Sequence, residues 1–148
     1  MATLRSEKEN NTARNEAELP VYLFHQGTNF RAYEYLGAHP IDGGFVFRVW
    51  APDAAAVAVT GDFDGWQGTL AMTRISEGGV WEAEGKGEGF HRGARYKYLI
   101  TAADGRRLYK ADPYAFAAEC PPDTASLMYG IPEHEWHDGG WMAARPDR

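Results

Sequence analysis

A single cysteine, Cys120, excludes an intrachain disulfide in this chain of 148 residues, so nothing in the sequence demands an oxidising compartment. No apolar run reaches the roughly 18 residues that argue for a membrane-spanning helix. Positive charge is in short supply: 15 Lys and Arg face 21 Asp and Glu, a net charge of −6. A nucleic-acid binder would instead show a basic stripe. Residues 1–18 are polar and lack the apolar stretch of a secretory signal, which leaves a cytoplasmic location as the expectation.

The signatures of catalysis are also missing. Ser6, Ser76 and Ser126 are the only serines, and none sits in a G-x-S-x-G elbow. Cys120 lies between Glu119 and Pro121 without an evident His partner. The glycines from Gly85 to Gly93 do not follow G-x-G-x-x-G and fall between expected strands, where a flexible hairpin loop suffices. His134-Glu135-Trp136-His137 places its histidines at i, i+3, not at the spacing of H-E-x-x-H. Asp62 and Asp64 form the one tempting carboxylate pair, but Asp in a turn usually binds its own backbone. The expectation is no catalytic residue, no metal and no cofactor, and no nucleic-acid or membrane partner.

What the chain has in quantity is turn and strand chemistry. Hydrophobic residues make up 44% and aromatics 14%, which excludes global disorder, while 17 Gly and 8 Pro imply many turns between short strands. Residues 1–18 read as a disordered tail. Residues 19–40, from Leu19 through Phe24, Phe30 and Tyr35 to Leu36, suit one or two helical turns, with Gly37 as a stop. Residues 41–130 then alternate with period two. Strands are expected at Phe45–Trp50, Ala56–Thr60, Met72–Ile75, Val80–Glu84, Arg95–Thr101, Arg107–Tyr109 and Ser126–Tyr129, with Asp104-Gly105 as a hairpin turn. That pattern indicates an all-β antiparallel sandwich or barrel. Residues 131–148 have no strand period and read as an irregular linker. Its Trp136 and Trp141 suggest docking on something.

One turn stands apart. Gly61-Asp62-Phe63-Asp64-Gly65-Trp66 follows the strand of Val57 and Val59 and presents an indole directly after a residue pair suited to φ > 0. Trp66 is either a lid on the core or a flat platform for a stacked ring. Lys97, between Tyr96 and Tyr98, points to the opposite face from both tyrosines and is free either to aid solubility or to bind hydroxyls. A sugar needs both chemistries, an aromatic plane for its C–H face and polar groups for its rim.

The run FRVWAPDAAAVAVTGDFDGW (Phe47 to Trp66), followed by GVWEAE, RYKYLI and ADGRRLYKADPYAFAAE, resembles carbohydrate-binding module family 48. LFHQGTNFRAYEYLGAHP (Leu23 to Pro40) and DTASLMYG (Asp123 to Gly130) resemble the flanks of that module in glycogen branching enzymes. The resemblance implies an immunoglobulin-like β-sandwich at the N-terminal side of a (β/α)8 barrel, in an enzyme that cuts α-1,4-glucan and transfers the piece to a 6-hydroxyl. Neither D-x-x-x-N-H nor G-x-R-x-D of that barrel occurs here, so residues 131–148 would lead toward a barrel outside this sequence. The implied partners are α-1,4-glucan (glycogen) and the barrel. By the same resemblance Trp66 matches a glucose-stacking Trp and Lys97 a hydroxyl-binding Lys. A second stacking Trp would fall just after Asp104-Gly105, where this chain has Arg106 and Arg107. A free-standing glycogen-targeting module and a purely structural sandwich are the alternatives.

Overall fold

The computed structural model describes residues 18–131 and 137–145. The tail expected at residues 1–18 lies outside them except for Glu18, as do His134, Glu135 and Trp136 of the linker. Ten strands run β1 (Gly37–Ile41), β2 (Gly44–Trp50), β3 (Ala54–Gly61), β4 (Leu70–Ala71), β5 (Thr73–Arg74), β6 (Val80–Lys86), β7 (Arg95–Ala102), β8 (Arg107–Lys110), β9 (Ala117–Ala118) and β10 (Ser126–Leu127). One sheet has the order β1-β2-β6-β5 and the other β4-β3-β7-β10-β9, with β8 also pairing β7. Every pairing is antiparallel. The result is an immunoglobulin-like β-sandwich, two antiparallel sheets that bury one alternating face each.

The alternation sets the core. Phe45, Phe47 and Val49 of β2 pair with Gly85, Ala83 and Trp81 of β6, and face Val57 and Val59 of β3 and Tyr96 and Tyr98 of β7. Phe47 meets Tyr96 edge-on across the sandwich with ring centroids 5.2 Å apart. Gly44 sits where the strands press closest: a Cβ there would collide with the backbone carbonyl of Gly85. Because backbone cannot move aside as a side-chain tip can, Gly44→Ala is expected to cost about 2–3 kcal/mol, read as a lower urea midpoint.

The structure differs from the sequence expectation at several elements, among them β9 and the short helix at Gly139–Ala143, which lie where no regular element was expected. The stretch Met72–Ile75 is not one strand. β4 joins one sheet and β5 the other, and buried Met72 marks the crossing, its N–H donating to the Val57 carbonyl at 2.9 Å. A switch between sheets keeps extended backbone on both sides, so period two alone does not reveal it. The apolar entry segment is helical only in its first part, as α1 (residues 18–25) and a 3₁₀ turn at Ala32–Glu34. Gly37 starts β1, with φ +100° and a Cβ position only 2.8 Å from the Tyr114 carbonyl. Pro40 is tolerated because β1 is an edge strand.

The entry segment packs on the outer face of the four-stranded sheet. Ala32, Leu36 and Val80 form a second small core with Phe24, Tyr35 and Tyr114 around it. His25 bonds Ser76 Oγ at 2.9 Å, and Phe24 packs edge-on to Trp50. At the other end, α2 (Gly139–Ala143) is exposed throughout, including Trp141.

Candidate functional site

The GDFDGW turn is organised by one carboxylate. Asp64 Oδ1 accepts from Thr60 Oγ1 (3.1 Å), Gly61 N–H (3.0 Å) and Trp66 N–H (3.0 Å). Its Oδ2 accepts from the Thr69 N–H (2.8 Å) and hydroxyl (3.1 Å). Partial burial pushes this carboxyl up, but the donors from Gly61, Thr69 and Thr60 more than offset it and hold it below the ordinary Asp value. The turn expectation for Asp64 thus holds, and its reach is wider than one local turn.

Trp66 has φ +66°, alone in that region among the described non-glycine residues. A bulky side chain there costs on the order of 1 kcal/mol or more, and such strain concentrates at ligand sites. Its N–H, bonded to both Asp64 Oδ1 and the Gly61 carbonyl, holds it in place. The indole is half-buried. Asp62 lies beside it, gripped by Arg95 through the guanidinium (2.8 Å) and through the Arg95 N–H (3.0 Å). Arg95 chiefly holds the Asp62 carboxyl below its usual range, and the Trp66 indole N–H adds to the effect. Arg95 also reaches Glu119 at 3.4 Å, which ties the turn to the chain before β10.

Register fixes what shares this face. Thr60 pairs with Lys97, Ala58 with Leu99, and Thr101 with both Ala56 and Arg107. All of these point away from the core, since Val57, Val59, Tyr96 and Tyr98 point into it. The 62–69 loop folds back over this outer face: the Gly68 N–H donates to Thr60 Oγ1, and a Cβ on Gly68 would strike the Leu99 side chain. That cover explains why Thr60 and Leu99 are buried on an outward face. The loop carries Trp66 onto the same face as Lys97.

Lys97 donates to Thr124 Oγ1 at 2.7 Å, so its ammonium is fixed beside the 119–125 loop. Arg106 folds onto Asp104 at 2.6 Å. Arg107 instead lies near the Trp66 loop, its guanidinium 3.7 Å from a Cβ position at Gly68. This outer face therefore combines an ammonium, a hydroxyl and a guanidinium beside the loop that carries Trp66. The linking roles of Arg95, Glu119 and Thr124 leave no sequence signal, because their partners are 24 to 33 residues away. Trp66 bound to an Asp two residues earlier was legible in principle, as an Asx turn.

Among the described residues no group of three or more His, Cys, Asp or Glu could hold a metal ion, and no helix is long and apolar enough to cross a membrane.

Two antiparallel sheets packed face to face place the chain in the class of immunoglobulin-like β-sandwich modules. Residues 35–115 match the family model of carbohydrate-binding module 48 (isoamylase N-terminal domain), and the chain belongs to that family. It is 47% identical over 126 residues to the 1,4-alpha-glucan branching enzyme GlgB of Jannaschia sp. (strain CCS1), covering 85% of this chain and 18% of that enzyme. With the GlgB of Bacillus caldolyticus the identity is 44% over 135 residues, 88% of this chain and 20% of that enzyme. The chain thus spans about a fifth of the length of these curated relatives. Among solved structures it superposes on PulA from Klebsiella oxytoca with a TM-score of 0.52 at 31% identity, covering 66% of this chain and 10% of that one. Pullulanase type I from Bacillus subtilis complexed with maltose gives 0.53 at 26% identity, over 68% of this chain and 14% of that one.

Proposed function

We propose that this chain is the non-catalytic N-terminal module of a cytoplasmic 1,4-alpha-glucan branching enzyme, and that it contacts α-1,4-glucan through the Trp66 face. The observation that carries the reading is Trp66 itself, held at a strained backbone φ by the Asp64 carboxylate on the loop that covers the face of Lys97. The indole takes the C–H face of a glucose ring, and the Lys97 ammonium with Thr124 takes hydroxyls. Arg107, standing where the family resemblance expects a second Trp, offers a flat cationic plane instead. The transfer of a cut α-1,4 segment to a 6-hydroxyl belongs to a (β/α)8 barrel. Residues 131–148 lead toward it, and the branching-enzyme relatives, about five times longer than this chain, support a module of a larger enzyme over a free-standing targeting module.

The test uses Trp66→Gly, because glycine suits the φ of +66° and removes the indole without straining the backbone. Titration of the chain with maltoheptaose, followed through the amide shifts of Lys97 and Thr124, is expected to give a Kd roughly in the 0.1–1 mM range. The variant should stay folded and bind at that face about tenfold or more weakly. Equal affinity in the variant removes Trp66 from the site, and no shift in either protein removes the glucan reading.

A further inference from the structure

On the opposite outer face of the sandwich, a cleft of about 790 Å³ opens between α1 and the β2–β6 surface. That volume lies within the range of small-ligand sites, roughly 300–1,000 Å³. Tyr22 and His25 of α1, Tyr35, Arg48 of β2, Ser76 and Glu82 of β6 line it. We infer that this cleft is a second carbohydrate site, which takes a neutral segment of the same α-glucan on the face opposite Trp66. The inference rests on the glucan reading above.

The charge arrangement selects a neutral ligand. Arg48 is already committed: its Nε donates to Glu82 at 2.6 Å and its guanidinium lies over the Tyr35 ring at 4.3 Å. Among the described residues an anion such as a sugar phosphate would find only Arg48, already paired, and would meet the Glu82 carboxylate. A polyhydroxyl ligand needs no net charge. It needs fixed donors and acceptors beside flat aromatic surface, and the Arg48–Glu82 pair and the His25–Ser76 pair supply them next to the exposed Tyr22. The walls are held in place before any ligand arrives. His25 packs on Gly78, where an added Cβ would strike its ring, Ser76 Oγ accepts from the Val80 N–H at 3.0 Å, and Phe24 braces Trp50. Such preorganisation lowers the ordering cost of binding.

The experiment is a maltoheptaose titration of the 148-residue chain and of Trp66→Gly, Tyr22→Ala and Glu82→Gln, read by backbone amide shifts. The expected result is a second group of shifts at residues 22–25 and 75–82 that persists in Trp66→Gly. Tyr22→Ala and Glu82→Gln should each weaken it about fivefold or more, with the shifts around Lys97 unchanged. Tyr22 is exposed enough that its loss leaves the fold intact. Shifts at the Trp66 face without shifts in the cleft overturn this inference alone. Silence at both faces overturns the glucan reading and this inference with it. Cleft shifts that vanish in Trp66→Gly also overturn it, since they show one site and not two.

Discussion

Replacing Asp112 by Ala is expected to destabilise the chain by about 3–5 kcal/mol, the largest loss for any single polar substitution here. Asp112 is buried in the core, where its Oδ2 accepts from Tyr96 OH at 2.6 Å and Tyr98 OH at 3.2 Å, and its Oδ1 from the Tyr114 N–H at 2.8 Å. Tyr96 and Tyr98 are wholly inaccessible. Alanine leaves two phenol hydroxyls and one N–H without an acceptor in a site that excludes water, and each orphan costs about 1–3 kcal/mol. Asn, which keeps a carbonyl oxygen, should cost about half as much. Tyr98→Phe removes donor and demand together and should cost about 1 kcal/mol. Urea unfolding of the three variants checks the order; an Ala loss no larger than that of Tyr98→Phe would show the network to be unimportant.

The same carboxyl gives a pH dependence. Burial raises its pKa above the ordinary Asp value, against the pull of the Tyr96, Tyr114 and Tyr98 donors. The folded state therefore holds this proton more tightly than the unfolded chain. Its contribution is fully present below the unfolded value of about 3.9 and declines as pH rises through the folded one. Burial also drives the ionisation of Tyr96 and Tyr98 far upward, so both remain hydrogen-bond donors across the physiological range.

The second large effect is expected at Asp64. Asp64→Ala removes the common acceptor of Thr60, Gly61, Trp66 and Thr69, so the 62–69 loop loses its anchor on the sheet. A stability loss of about 2 kcal/mol is expected, together with at least a tenfold loss of glucan affinity at the Trp66 face. Affinity falls because only the Gly61 carbonyl then holds the Trp66 N–H, and the weakened turn relaxes Trp66 from φ +66° toward negative φ. The pH sign is opposite to that of Asp112. Asp64 and Asp62 both have lowered values, so their stabilisation is present above about pH 3.9 and is lost as pH falls through their folded values. Acid titration of Asp64→Asn should lack the Asp64 share of that loss. Binding that survives Asp64→Ala at wild-type strength would separate the indole from the anchor.

The strands were legible because each carries its own evidence. Phe45, Phe47 and Val49 alternate, as do Tyr96 and Tyr98, and one buried face demands that pattern wherever the strand ends up. The turns at Asp64-Gly65 and Asp104-Gly105 were legible for the same local reason: Gly65 and Gly105 have φ of +61° and +84°. Edges were less so. β1 was hidden because a strand beginning at Gly37 and holding Pro40 lacks a strand composition, and β9 has only two residues. Trp66 was visible as a candidate, but whether it was lid or platform was not, since either role suits a half-buried indole.

By itself the sequence determined the alternation and the turns, including the one that ends at Trp66, all of which follow from steric and hydrophobic preferences within a few residues. The tertiary structure alone decided which distant groups meet. Met72 crosses between sheets, Asp112 reaches Tyr96 and Tyr98, Lys97 finds Thr124, and α1 closes a cleft over Arg48 and Glu82. These pairings join residues 14 to 34 positions or more apart, and sheet register, which is set only when both faces pack, brings them together.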